Sequence, residues 1–280
     1  MVVTKDVPVG VSGRSATEVA RAVALEAGDL ALSRFRQPQE ITVKGRGDLL
    51  SESDLAVEKL FHDSLTAEFP DHKILSEETA SDTGLDGWVW VIDPIDGTRN
   101  FVSGIPVFCV NVALCHEGAP VIAVTHDPNH GESFWAERGG GAWLNDTPIR
   151  ASSAPTVAAS VLGVDLGYHD ERGRAQLKLL HQLFPGVQSF RIPGSAALGL
   201  AYAAAGRYDL FLHHYLFPWD IAAGILLVKE AGGAITDHLG GSVEVRSRTV
   251  LCGSSAAHND FLNWQREHAG ELDLPTSGTD

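Results

Sequence analysis

The chain has 280 residues, 44% of them hydrophobic and 20% charged, a balance that suits a folded protein with a substantial core. Asp and Glu outnumber Lys and Arg by 36 to 21; the formal charge of −15 has the wrong sign for a nucleic-acid-coating protein, and no basic run offsets it. No stretch reaches the ~18 consecutive apolar residues of a membrane span, and the N-terminus shows no signal-peptide pattern.

Residues 1–13 read as a flexible tail. From Ser15 to Arg34, Val19, Ala20, Val23, Ala27 and Leu30 recur at helical spacing. A loop, "VKGRGDLLSESD", leads to a second helix over about Asp54 to Glu68, with Leu55, Leu60, Phe61 and Leu65 on one stripe. Two short strands follow, "HKILSE" and "GWVWVID", separated by a polar turn region. Residues 106–150 predict a β-meander, with turns at "HEG", "PNHG" and "RGGG". No helix follows Gly139, Gly140 and Gly141, so they read as a tight hairpin and not a phosphate loop, and His126 and His130 fall on the "HDPNH" hairpin. Residues 14–150 thus form an N-terminal α+β half. Residues 151–268 alternate strand and helix as a C-terminal α/β half, and 269–280 form a second flexible tail. Cys109, Cys115 and Cys252 are odd in number, lie in apolar stretches and form no C-x-x-C pair. They predict reduced core thiols in a cytoplasmic protein, without a zinc site.

Three apolar elements end in acid. "VWVIDPID" runs into Asp93 and Asp96, "ILSEE" into Glu77 and Glu78, and Asp220 heads the apolar helix of "FPWDIAAGILLVKEAGG". Taken singly, such acids cap helices or sit in surface turns. Together they are best explained by convergence on one point. Two carboxylates ~4 Å apart repel by roughly 4 kcal/mol at an effective dielectric near 20, so a cluster must neutralise itself or bind cations. Oxygen ligands without His or Cys suit Mg²⁺, with Mn²⁺ as the alternative.

"DPIDGTRNF" with upstream "SEE", "DLLSESD" and downstream "GSAALGLAYAAAGRYD" and "WDIAAG…EAGG" resembles the inositol monophosphatase family of Mg²⁺-dependent, lithium-sensitive phosphatases. The resemblance runs from about residue 15 to 265. It implies an αβαβα sandwich of the sugar-phosphatase type, with a mixed or antiparallel N-terminal sheet and a smaller C-terminal α/β part. It further implies that Glu77, Asp93 and the Ile95 carbonyl hold one Mg²⁺. Asp93 would bridge to a second ion completed by Asp96 and Asp220, and two or three ions would bind in all. Gly97 and Thr98 would receive the phosphate, and Asp54 would orient Thr98 and, with Glu77, the attacking water. Gly194, Ser195 and Ala196 match a substrate wall, and a homodimer is expected. Glu78 is left beside the site or exposed.

One position departs from the family. Where members acting on inositol phosphate carry a glutamate seven residues before the "WD" aspartate, this chain has His213. Either His213 and His214 are a strand-end pair without duty, or His213 is a changed substrate contact. In the second case, protonation near pH 6.5 would favour a second anionic group on the substrate. The expected activity is hydrolysis of inositol 1-phosphate or a related polyol or sugar phosphate. Fructose 1,6-bisphosphate, histidinol phosphate and 3′-phosphoadenosine nucleotides are rival substrates, and a non-catalytic metal-binding scaffold is the rival of another class. An aspartyl-nucleophile phosphatase needs D-x-D, and "DPIDGT" spaces its acids one residue too far apart.

Overall fold

A computed structural model describes residues 7–45, 48–79 and 82–268. Helix α1 (Ala16–Arg34) opens on a capping box in which Ser15 and Glu18 each satisfy the other's backbone N–H. Its buried side is mostly small: Val19, Ala20, Val23, Ala24, Ala27 and Ala31. These let it lie close against α2 (Glu52–Glu68), whose own capping box pairs Ser51 with Asp54. Between the helices, β1 (Ile41–Val43) and β2 (Leu49–Ser51) form a short antiparallel hairpin where the sequence predicted only a loop. The expected tail over 1–13 is corrected in its described part. Val9 bridges to Ser15, the Val11 N–H donates to the Glu68 carbonyl, and Arg14 pairs with the Glu68 carboxylate at 2.7 Å. Residues 1–6 and the predicted tail over 269–280 lie outside the described residues.

The larger sheet contains, in spatial order, β3 (Lys73–Ser76), β4 (Trp88–Asp96), β5 (Cys109–His116), β6 (Ala119–Asp127), β7 (Glu132–Glu137), β8 (Ala142–Leu144) and β9 (Thr147–Pro148). β3 pairs with β4 in parallel and the rest is the predicted antiparallel meander. Gly139 and Gly141 take positive φ in the turn before β8, as a tight hairpin requires. The unbroken apolar run of β4 has a plain cause: both faces are covered. Trp90 and Ile92 pack toward α1 and α2, while Val89 and Val91 pack on the opposite side. A short helix, α3 (Thr98–Val102), follows β4 directly.

The second sheet joins β10 (Val161–Asp165), β11 (Ser189–Arg191), β12 (Leu210–His213), β13 (Ala234–Thr236) and β14 (Val250–Gly253) in the order β11-β10-β12-β14-β13. Its outer face carries α4 (Asp170–Leu183) and α7 (Ser255–Glu267) on Leu162, Leu210, Leu212 and Leu251. Its inner face packs through Phe211, Val250 and Cys252 on α5 (Ala196–Ala204) and α6 (Pro218–Glu230). Those two helices also meet the larger sheet, which is why α6 is apolar on nearly every side. The layers therefore run helix, sheet, helix, sheet, helix, as the family resemblance implied. All three cysteines are buried free thiols, and no helix among the described residues is long and apolar enough to cross a membrane.

Contact at the inner layer is tight: a Cβ built on Gly199 of α5 would fall 2.2 Å from the Phe211 ring. Removing that fully buried ring leaves a cavity between sheet and helix. Phe211→Ala is expected to destabilise the chain by about 3–5 kcal/mol, read as a lower urea midpoint with an unchanged slope.

Candidate active site

The ends of β3 and β4, the loops after β10 and β12, the first turn of α6 and the loop before α5 surround one cavity of about 370 Å³. Glu77, Asp93, Asp96 and Asp220 line it, and Ile95, Gly97 and Thr98 form its floor. Asp93, Asp96 and Asp220 each bring a carboxylate oxygen within 4.8 Å of the others. Burial, and then the neighbouring Glu77 and Asp96, push Asp93 well above the usual carboxylate range. Glu77 rises likewise, through burial and then Glu78. Asp96 is pushed up to about 6 and Asp220 to about 8, burial being the first cause of each. The Asp93 Oδ1 is buried without a hydrogen-bond partner, a costly state for an acceptor. An unpartnered buried oxygen amid crowded carboxylates, with no His or Cys among the donors, fits a hard divalent cation such as Mg²⁺ or Mn²⁺.

Local backbone geometry makes this convergence possible. The register of β4 against β5 shifts between Asp93 and Asp96, so both acids face the same end of the strand. Gly97 then turns the chain at φ 96°, where a Cβ would lie 3.0 Å from the Val107 carbonyl oxygen and 3.1 Å from that of Gly194. A side chain there is strained by the positive φ and crowds both carbonyls. The Asn100 amide donates to the Val107 and Pro193 carbonyls at 2.8 and 2.9 Å, clamping the segment before α5 onto the motif. Asp96 accepts hydrogen bonds from the Ser195 hydroxyl and from the Ala196 and Ala197 amides at 3.1 and 3.0 Å. Asp220 accepts from the Phe217 amide at 2.7 Å. Of the expected substrate wall, Gly194 and Ala196 line the cavity, whereas Ser195 sits behind it, bonded to Asp96.

Asp54 is fully buried at the start of α2. Its Oδ2 accepts from the Ser51 amide and hydroxyl at 2.8 and 2.6 Å, and its Oδ1 lies 3.2 Å from the Thr98 hydroxyl. That hydroxyl is also 2.9 Å from the Ile95 carbonyl oxygen. With its one hydrogen directed to these acceptors, Thr98 presents lone pairs elsewhere.

Two residues near the acids carry no signal in a residue-by-residue reading. Lys44, in the turn of the β1–β2 hairpin, pairs with Glu78 at 2.7 Å and stands 3.8 Å from Glu77. Glu78 is therefore neither exposed nor free, its side chain being 3% accessible. A buried "EE" pair demands a nearby cation, and a lysine ten residues before Asp54 was the available clue. Glu58 on α2 accepts from Ser76, Glu78 and Thr79 around Glu77.

His213 lines the cavity, yet the expected protonation near pH 6.5 is overturned. Burial in β12 holds the imidazole down to about 3, so it is neutral at physiological pH. Its Nδ1 accepts from the Tyr215 amide at 3.0 Å, which places the ring hydrogen on Nε2. His213 is an N–H donor without charge. His214 is also buried, and its backbone carbonyl receives Arg172 Nη1 at 3.1 Å. His126 and His130 fall on β6 and the following turn, as the hairpin reading expected, with His130 on Asp127 at 2.8 Å.

The sequence profile of the inositol monophosphatase family matches residues 13–271. An inositol monophosphatase of Dictyostelium discoideum is 39% identical over 240 residues, covering 83% of this chain and 88% of that protein. The Nus factor SuhB of Escherichia coli K12 is 38% identical over 257 residues, covering 90% and 96%. Among solved structures, the extragenic suppressor protein SuhB of Bartonella henselae superposes with a TM-score of 0.82 at 34% identity, over 88% of this chain and 96% of that one. The IMPase of Thermotoga maritima gives 0.82 at 32% identity, over 91% and 98%.

The buried acids dictate how stability depends on pH. Asp96 and Asp220 stand above the ordinary 3.8 of an unfolded aspartate, so the unfolded chain gives up these protons first. Their protonated forms contribute stability that is complete below about pH 4 and is lost as pH rises through the folded values of about 6 and 8. In excess chelator the melting midpoint is expected to fall across that window, and saturating Mg²⁺ to remove the fall. A chelated protein whose midpoint rises from pH 5 to 8 contradicts this account of the cluster.

Proposed function

The chain belongs to the inositol monophosphatase family and is a phosphoric monoester hydrolase; from that premise we propose that it hydrolyses inositol 1-phosphate or a related polyol or sugar phosphate with Mg²⁺. The observation that carries the reading is the meeting of Asp93, Asp96 and Asp220 at one cavity, with an Asp93 oxygen left without a partner. In this reading Glu77, Asp93 and the Ile95 carbonyl would hold one ion, and Asp93, Asp96 and Asp220 would hold the next. Bound ions would neutralise the acids, screen the phosphate dianion and lower the pKa of a water at neutral pH.

The remaining work falls to side chains and backbone. Gly97 and Thr98, at the cavity floor, receive the phosphate. Asp54, anchored through Ser51, holds the Thr98 hydroxyl so that its lone pairs accept a hydrogen bond from the attacking water and orient it toward phosphorus. Water gives its oxygen to the phosphate and its proton passes to the leaving alkoxide, yielding alcohol and inorganic phosphate. His213 meets the alcohol portion with an N–H donor in place of a carboxylate, which supports broader specificity than a site built around sugar-hydroxyl acceptance.

The relatives named Nus factor SuhB favour a second role beside hydrolysis, and a phosphate-release screen tests the hydrolytic one. Release from polyol or sugar monophosphates is expected with Mg²⁺, and none in excess EDTA or from Asp93→Asn. Turnover by Asp93→Asn at near wild-type rate would remove the metal mechanism, and no release from any polyol or sugar monophosphate would overturn the proposed substrate class.

Specificity is tested at His213. Restoring an acceptor by His213→Glu is expected to raise the kcat/KM ratio of inositol 1-phosphate over a bisphosphate roughly tenfold, about the value of one hydrogen bond to a charged group. An unchanged ratio would mean that His213 does not contact the substrate.

A further inference from the structure

Glu58 is 3% exposed, yet it is a charged side chain in the middle of α2. Among the described residues, the hydrogen bonds to its carboxylate all come from the short segment that carries Glu77. Its Oε1 accepts from the Ser76 hydroxyl at 2.8 Å, from the Thr79 amide at 3.0 Å and, at close range, from the Thr79 hydroxyl. Its Oε2 accepts from the Glu78 amide at 3.1 Å. The residues on both sides of Glu77 are thus tied to one carboxylate, while the Glu77 side chain turns into the cavity.

We propose that Glu58 is the positioning residue for Glu77, holding the turn after β3 so that the Glu77 carboxylate is aimed at the acid cluster, and that it thereby sets the affinity of the site for a divalent ion. The inference rests on the metal-dependent reading of the site. Four donors converging on two oxygens require an acceptor at both, which an ionised carboxylate supplies and an amide does not. In Gln the NH₂ would face either the Glu78 amide or the Ser76 and Thr79 donors. Burying a charge is costly unless hydrogen bonds compensate it, and here all four serve one turn. Asp54 and Glu58 lie four residues apart, on one face of α2. One rigid helix therefore references both arms of the site, Thr98 through Asp54 and Glu77 through Glu58.

The test is calorimetric titration of Mg²⁺ into chelator-stripped protein, with the metal-free melting midpoint of each variant measured alongside. Glu58→Gln is expected to bind Mg²⁺ roughly 10- to 100-fold more weakly, the usual cost of losing a residue that orients a ligand. Its kcat at saturating Mg²⁺ should recover most of the wild-type value, a split that general loosening of the fold would not produce. Thr79→Val, which deletes one donor and leaves the backbone intact, is expected to shift affinity in the same direction by a smaller factor. It stands in should Glu58→Gln fail to fold. Folded variants that bind Mg²⁺ as tightly as wild type overturn the role of Glu58. A wild-type chain that binds no Mg²⁺ overturns the metal reading itself, and this inference with it.

Discussion

Mutual repulsion among buried carboxylates is the constraint around which this molecule is arranged. Asp93, Asp96 and Asp220 share a space of under 5 Å, with Glu77 close enough to push Asp93 up further once burial has raised it. Charges so near one another in a poorly solvated site repel by several kcal/mol per pair, a sum comparable to the whole stability of a domain. The fold meets this with a rigid frame. Asp93, Asp96 and Asp220 stand at the ends of elements buried almost throughout, so packing energy gathered along β4 and α6 holds groups that would otherwise separate. Asp96 is further stabilised by two amides at the start of α5, and Asp220 by the Phe217 amide. The protein does not relieve the remaining charge. Lys44 stands near Glu77 but is paired with Glu78, and the Asp93 oxygen is left over.

Much of this was legible in the sequence because its signals were redundant. An apolar run bounded by acid is informative once and nearly decisive three times, and Asp93 and Glu77 close such runs while Asp220 opens one. The residues alone pointed to an α/β layered architecture and the family resemblance to its five-layer order, for which the structure supplies the physical sense. β4 is apolar at successive positions because helices cover both of its faces, and α6 is apolar all round because sheets lie on either side.

What escaped the sequence reading has a common physical cause, which is that burial and pairing are three-dimensional properties. Glu58 on an amphipathic helix has the look of a solvated charge, and nothing local says that Ser76 and Thr79 will surround it. The hairpin of β1 and β2 has three exposed residues in its first strand and no apolar alternation to betray it. His213 was expected to titrate because an isolated imidazole does. Only its seat in β12, with the Tyr215 amide on Nδ1, makes it neutral and assigns its tautomer. Ser195 matched a substrate wall by position, but its hydroxyl is committed to Asp96.

The clamp made by Asn100 has a consequence for how such an enzyme can diversify. Because its amide ties Pro193 and Val107 together, and because Gly97 and Gly194 meet backbone to backbone, the wall before α5 is fixed to the turn at Gly97 and Thr98. Substitutions there disturb the chemistry along with the fit. On the opposite rim Asp165 and Phe217 are bonded to this frame as well, Phe217 donating to Asp220 at 2.7 Å, whereas among the described residues no hydrogen bond ties the His213 or Tyr215 side chain to the acids. A change at His213 or Tyr215 can therefore alter the shape of the cavity while leaving the acids in place.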